Sequence, residues 1–454
     1  MMTFMKNTVC SVLAVACLGI SSQPANAQDQ DFKYRRSSLS MILIESESFP
    51  NKDAVMASWN NYPFPEKYNK HDIQTRSFDV KDIKLTDEDL LKAGFLKDTL
   101  SGLLAITKAT AALKPLRYLN SDNTVAVVLP TERQEYQLKI DKVIADQKVA
   151  NQLVATWFNL GGDGKFDMSM VQERGFYNAS EMEASIAKGQ ARNLAALGDA
   201  GEELIKNTFV TFTKLEFVEN EPVARATRDA AKEEIAEKMK GKPQMMVNNA
   251  MKAADAAYEE AKEGYSLWSK TWLYQLNWND STAAVFYSDY WNNPSALENS
   301  DLFQLNFVGV QYNQSLVTFK IGEQRTQEQI IDLALVRNLD NAFAELQKDN
   351  DVFKPKVPII SINPVMAQIG QKESITADSE FEVLEMVWDS KTGKTAWTKI
   401  GKCKVDGKQP IWDNRYNAGE PVDSQTDASG KPINGTTLVG PKKIQPGMLI
   451  KQTK

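Results

Sequence analysis

Between Thr124 and Phe217 the sequence alternates strand-like and helix-like stretches, and this alternation limits the available architectures more than any other feature. Val125-Ala126-Val127-Val128-Leu129 is apolar throughout and stops at Pro130, as a strand covered on both faces does. From Ile140 the apolar positions Val143, Ile144, Ala150, Leu153, Val154 and Trp157 recur at helical spacing, and Gly161-Gly162-Asp163-Gly164 ends the run. Phe166, Met168 and Met170 then alternate with Asp167 and Ser169, which is the period of a strand. Ser180 and Glu183 form a capping box opening a second helix, with Gly198 as its stop. Leu204-Ile205 and Phe209 to Phe217, rich in β-branched and aromatic residues, complete a third strand. Strands separated by helices predict a largely parallel sheet with right-handed crossovers, inside an α/β domain over 121–350.

The flanks predict three further regions. Residues 28–120 form an N-terminal α/β region: a strand at Leu39 to Ile44, a short helix at Asp53 to Trp59, and a loop from Asn60 to His71. In the same region a helix is N-capped by Thr86, and a buried helix at Leu100 to Leu113 is stopped by Pro115. An Ala-, Lys- and Glu-rich insertion at 222–263 reads as a helical hairpin broken at Gly241-Lys242-Pro243. Strands are expected at Trp272 to Trp278 and Thr282 to Tyr290 about an Asn279-Asp280-Ser281 turn, and again within Val308 to Ile321. A helix at Gln327 to Leu346 closes the domain. Residues 351–454 read as all-β: Val357 to Ile362, Val365 to Ile369, Phe381 to Trp388, Trp397 to Val405, Ile411-Trp412, Thr437 to Val439 and Met448 to Ile450. Turns at Thr392-Gly393 and Asp406-Gly407 punctuate them. The fold class is a mixed α/β sheet with helices, a helical hairpin insertion and a C-terminal small β-barrel.

Residues 1–27 stand apart as a signal peptide. Lys6 precedes an apolar run from Val9 to Ile20, and Ala25-Asn26-Ala27 supplies an A-x-A cleavage site before Gln28. The competing reading is a lipoprotein signal ending at Cys17, where Ala14-Val15-Ala16 lacks the usual bulky residue three before the cysteine. Cleavage after Ala27 leaves Cys403 as the single cysteine, so no internal disulfide forms, and its strand position predicts a buried thiol.

In order of elements the middle domain resembles the CsgG-type domain of curli-secretion lipoproteins and is similar to the TolB N-terminal domain. The shared phrases are Leu129-Pro130, Trp157-Phe158, the run Phe166-Asp167-Met168-Ser169-Met170-Val171-Gln172-Glu173-Arg174, and Ala200-Gly201 leading into Phe209. Ile362 to Trp412 looks like the SH3-like barrel that accompanies such domains in flagellar accessory proteins of the periplasm. The resemblance implies an envelope-assembly role and supplies no catalytic residues. The chain departs from it in the poor lipidation context of Cys17, and in a charged helical hairpin where the channels carry membrane-crossing β-hairpins.

Catalytic chemistry is scarce in the sequence. His71 is the only histidine, and its setting between Lys70 and Asp72 predicts a surface loop residue without triad partners. One histidine and one mature cysteine exclude multi-histidine and cysteine-based metal sites. Gly161-Gly162-Asp163-Gly164-Lys165 lacks the spacing of a phosphate loop. The acid pairs Glu202-Glu203 and Glu233-Glu234 stand among 59 acidic residues, where such pairs arise by chance. Trp268, Trp272, Tyr274, Trp278, Tyr287, Tyr290 and Trp291 have the chemistry to stack on sugar rings, though packing is the commoner role of such a group.

A net charge of −6 argues against a phosphate-backbone partner, and no nucleic acid is expected. The expected function is a non-enzymatic scaffolding or assembly role in the cell envelope, with no catalytic, metal or cofactor-binding residues. Other envelope proteins, or further copies of the chain, are its expected partners. The alternative is a carbohydrate-binding or carbohydrate-processing protein. The expected location is exported, in the periplasm, at the outer membrane or outside the cell, with peripheral membrane contact and no transmembrane helix in the mature chain.

Overall fold

The computed structural model describes residues 35, 37–46, 49–95, 131–160, 164–177, 203–317, 326–389, 394–415, 425–426, 430, 432–445 and 447–453. The expected strand at Val125 to Leu129, the helices at Leu100 to Leu113 and from Ser180, the Thr392-Gly393 turn and the signal segment lie outside them.

Two edges of one strand organise the α/β domain. β1 (Ser38–Glu45) pairs in parallel with β4 (Thr208–Glu219), from Ser38 opposite Thr208 to Ile44 opposite Lys214. Its other edge carries two short parallel strands, β2 (Asn69–Lys70) and β3 (Ser77–Asp79). β4, β5 (Tyr265–Leu276) and β6 (Leu305–Val317) continue the sheet antiparallel, giving the order β2-β1-β4-β5-β6. The sheet is therefore mixed, not largely parallel. The cause lies in the connections: β4 and β5 are joined by a hairpin that returns to its starting point, whereas parallel neighbours need a crossover. The 28–120 and 121–350 segments, separate in the sequence reading, build one sheet.

Residues alternate between the two faces, so each strand serves two cores. Ile42, Val210, Phe212, Trp272 and Tyr274 pack under α3 (Glu132–Asp146) and α4 (Val149–Trp157). Leu39, Leu43, Phe209, Leu215, Leu267 and Leu273 pack under α1 (Lys52–Asn61) and α9 (Gln327–Asp349). Between α1 and α3, the short α2 (Asp87–Lys92) is opened by the Thr86 cap, whose capping box is completed by Asp89.

Several local expectations are corrected. The helix expected to run unbroken to Trp157 is two helices, parted at Lys148, whose φ of 50° is left-handed. Phe166 to Met170 is not a strand: Asp167 accepts from the Ser169 N–H (2.8 Å) and opens α5 (Ser169–Tyr177). Its side-chain oxygens fit a helix start better than a ladder, which has no use for them. Leu204-Ile205 belongs to a helical turn at 203–206 rather than to β4. The insertion is the expected hairpin, α6 (Asn220–Lys238) and α7 (Gln244–Ala261), turning at a left-handed Gly241. Thr282 to Tyr290 is helical too: Asn279 accepts from the N–H groups of Ser281 and Thr282 (3.0 Å each) and caps α8 (Asp280–Val285), which runs on into a π-turn at Phe286–Tyr290.

From Lys356 the chain forms a closed six-stranded antiparallel barrel in the order β10-β11-β8-β7-β12-β9. Its strands are β7 (Lys356–Ile362), β8 (Val365–Ala367), β9 (Glu380–Asp389), β10 (Lys394–Val405), β11 (Thr436–Val439) and β12 (Leu449–Gln452). Closure removes exposed strand edges and encloses Val357, Ile359, Phe381, Val383, Cys403, Val405, Leu438 and Ile450. Ile411-Trp412 is not a strand, because the Trp412 carbonyl accepts from Gln371 N (2.9 Å) and its N–H donates to Thr436 Oγ1 (3.3 Å). α9 meets the barrel through Asp340, which accepts from the Tyr62 hydroxyl at 2.7 Å and lies 3.5 Å from Lys372 Nζ.

Candidate functional site

The lone histidine is buried, not at the surface. His71 follows β2 and is fully enclosed, with its ring tilted over Trp157 at 5.0 Å between centroids. Its Nε2–H donates to the Leu153 carbonyl (3.0 Å), and Nδ1 accepts from Arg174 Nη1 (2.8 Å). Arg174, on α5, also donates to Ser38 Oγ (3.0 Å) and the Lys70 carbonyl (2.8 Å), and its guanidinium lies 4.7 Å over the Trp157 ring. Burial and the adjacent guanidinium push His71 down to about 3, so the imidazole is neutral at neutral pH. With both ring nitrogens engaged, it works as a latch tying β1, β2, α4 and α5 together. Its surroundings were invisible in sequence because Leu153 and Arg174 are distant along the chain.

The aromatic group divides by depth. Trp272, Tyr274 and Trp278 are buried. Phe158, Phe286 and Trp291 form an edge- and face-packed nest, with Phe158 and Phe286 4.3 Å apart. Trp268 and Tyr287 are exposed, at 51% and 37%, and Trp268 lies across the sheet from Glu216 and Gln314. Of the acid pairs, Glu203 meets Lys356 (3.1 Å) and Glu234 pairs with Lys238 on exposed α6, while Glu202 and Gly161 to Asp163 lie outside the described residues. Cys403 lies in the barrel core, where burial pushes its thiol up to about 12.

A small cleft lies at the open edge of β1, between α1 and the loop joining β2 to β3. Trp59, Asn60, Tyr62 and Phe64 form one wall, Lys70, Asp72, Ile73, Thr75 and Arg76 the other, and Ser40 and Met41 the floor. Asp72 bridges Lys70 (3.1 Å) and Arg76 (3.4 Å) on the rim. Sequence reading missed this cleft, since it depends on where β1 lacks a neighbour. Among the described residues, no group of three or more His, Cys, Asp or Glu residues is placed to hold a metal ion, and no helix is long and apolar enough to cross a membrane. Comparison with known protein families and with characterised proteins finds no match to the chain.

Proposed function

We propose that this chain is an exported, non-enzymatic scaffolding or assembly component of the cell envelope, binding other envelope proteins or further copies of itself. The observation that carries this reading is the α6–α7 arm. It leaves the sheet between Glu219 and Tyr265, which pair directly across β4 and β5. Only Asn220 and Ala224 of α6 are buried, and no residue of α7 is. Met245 and Met246, near the tip, are 73% and 51% exposed. Flexible, polarisable methionines at the end of a projecting arm suit contact with a partner surface. The CsgG-like and SH3-like resemblances and the A-x-A signal point to the same setting.

Two measurements test this reading. N-terminal sequencing of the exported protein is expected to start at Gln28. A photo-crosslinker at Met246 is expected to give a discrete adduct with one envelope protein or a second copy, and co-purification of that same partner is expected to be lost when residues 220–264 are replaced by an Asn-Gly turn. Uncrosslinked monomer in intact cells overturns the reading. The carbohydrate alternative rests on exposed Trp268: glycan binding abolished by Trp268→Ala supports it, and a blank glycan array removes it.

A further inference from the structure

Residues 39, 41 and 43 of β1 direct their backbone groups to the edge occupied by β2 and β3. Leu39 O accepts from His71 N (3.0 Å), and Leu43 N donates to Arg76 O (2.9 Å). Met41 lies between them, and β2 and β3 pair with residues on either side of it but not with it. In a continued ladder the His71 carbonyl would accept from Met41 N; instead it accepts from Ser40 Oγ. The intervening loop is drawn away to the opposite face of the sheet. Thr75 N donates to Gln152 Oε1 (3.0 Å), Thr75 Oγ1 to Gln147 Oε1 (2.9 Å), and Thr156 Oγ1 to Asp72 O (3.4 Å). The Met41 N–H and C=O are therefore left side by side on the floor of the aromatic-walled cleft, with no hydrogen-bond partner among the described residues.

We propose that this gap binds a primary carboxamide: the side chain of glutamine or asparagine, free or within a peptide. Met41 is half-buried, and its two unpaired backbone groups offer one donor and one acceptor on the same side of the strand. A carboxamide presents the matching acceptor and donor on one edge, so it closes both bonds at once. An extended chain running along β1 is blocked by β2 and β3 on either side, so the group enters end-on, between Trp59, Tyr62 and Phe64 and the opposite loop. At the rim, Lys70 and Arg76 face an α-carboxylate and Asp72 faces an α-ammonium, which suits a free amino acid. A carboxylate in place of the carboxamide has no N–H for the Met41 carbonyl and meets it with like partial charge. Glutamate is thus rejected.

The test uses the full chain with L-glutamine, N-acetyl-glutamine N-methylamide and L-glutamate, reading residue-level amide hydrogen exchange alongside calorimetry. Without ligand, the Met41 amide is expected to exchange faster than those of Leu39 and Leu43. Either glutamine probe is expected to slow it by about tenfold or more, the protection of one added backbone hydrogen bond, and glutamate to leave it unchanged. Arg76→Ala separates the sources: weakening free glutamine by about tenfold while sparing the blocked probe marks a free amino acid. Equal loss or no loss for both probes marks a peptide side chain. Unchanged Met41 exchange with both glutamine probes at their solubility limit, or equal protection by glutamate, overturns the proposal. Neither result bears on the arm, whose crosslinks are read separately.

Discussion

Two helical regions of this protein look alike in sequence and behave differently in the fold. α9 and the α6–α7 arm are both rich in good helix formers with apolar residues at helical spacing. α9 buries fourteen of its 23 residues against the sheet, α1 and the barrel seam. It is opened by a reciprocal capping box between Thr326 and Gln329. The arm has no side-chain cap on either helix and holds itself together by a half-buried seam. Its polar links include Lys232–Asp255 (2.5 Å) and Arg228 over the Tyr258 ring (4.4 Å). Helical pattern thus settles conformation, while the neighbour it meets settles how much stability the helix returns.

The largest effect is expected in α9. Leu335→Ala should cost about 2–5 kcal/mol, as a fully enclosed leucine leaves a cavity. A cost below about 1 kcal/mol in urea unfolding would break the contrast. Acidification should act on the body at the His71 latch. In the folded protein it titrates at about 3, below the ordinary histidine value of 6.5, so the unfolded state binds more protons in between. Stability is then fully present above about 6.5 and is lost as pH falls toward 3, by roughly 3–5 kcal/mol in all. Unfolding free energies across that window should be visibly flatter for His71→Gln; parallel curves would refute the latch.

Asn338→Leu is expected to cost about 1–3 kcal/mol, because inside the core Asn338 Nδ2 donates to the Leu267 carbonyl (2.9 Å) and its Oδ1 accepts from the Ser269 hydroxyl, which loses that partner. Removing the cap by Thr326→Ala should cost about 1 kcal/mol. Smallest of all, Met245→Ala at the tip of the arm should shift stability by less than about 0.5 kcal/mol while weakening the proposed crosslink from position 246. A larger loss would mean that the arm is packed in solution.

What could be read in advance follows the same division. The arm, α9, β4, β5 and most barrel strands were legible because their signals are local: a Gly-Lys-Pro break, helical stripes, alternating faces. The failures came where one polar side chain outvoted an apolar pattern. Asp167 turned Phe166 to Met170 from a strand into the start of a helix, and Asn279 did the same for Thr282 to Tyr290. The parallel sheet failed because strand direction depends on connections that composition does not encode. His71 and the β1 cleft were illegible for a further reason. Each is assembled from residues scattered between Ser38 and Arg174, and the gap at Met41 exists only because Gln147, Gln152 and Thr156 capture the loop that would have filled it.

The barrel carries a consequence for the order in which the molecule acquires its shape. β12 lies between β7 and β9 and pairs with both, so Lys356 meets Lys451 almost a hundred residues further along the chain. Until those last strand residues arrive, β7 and β9 each present a bare edge, and a bare edge is what stray chains add to. Such distant pairing is slow to nucleate, because loop closure precedes any gain from contact. Loss of the four residues of β12 should therefore leave a chain that self-associates through two open strands, rather than a slightly weaker barrel.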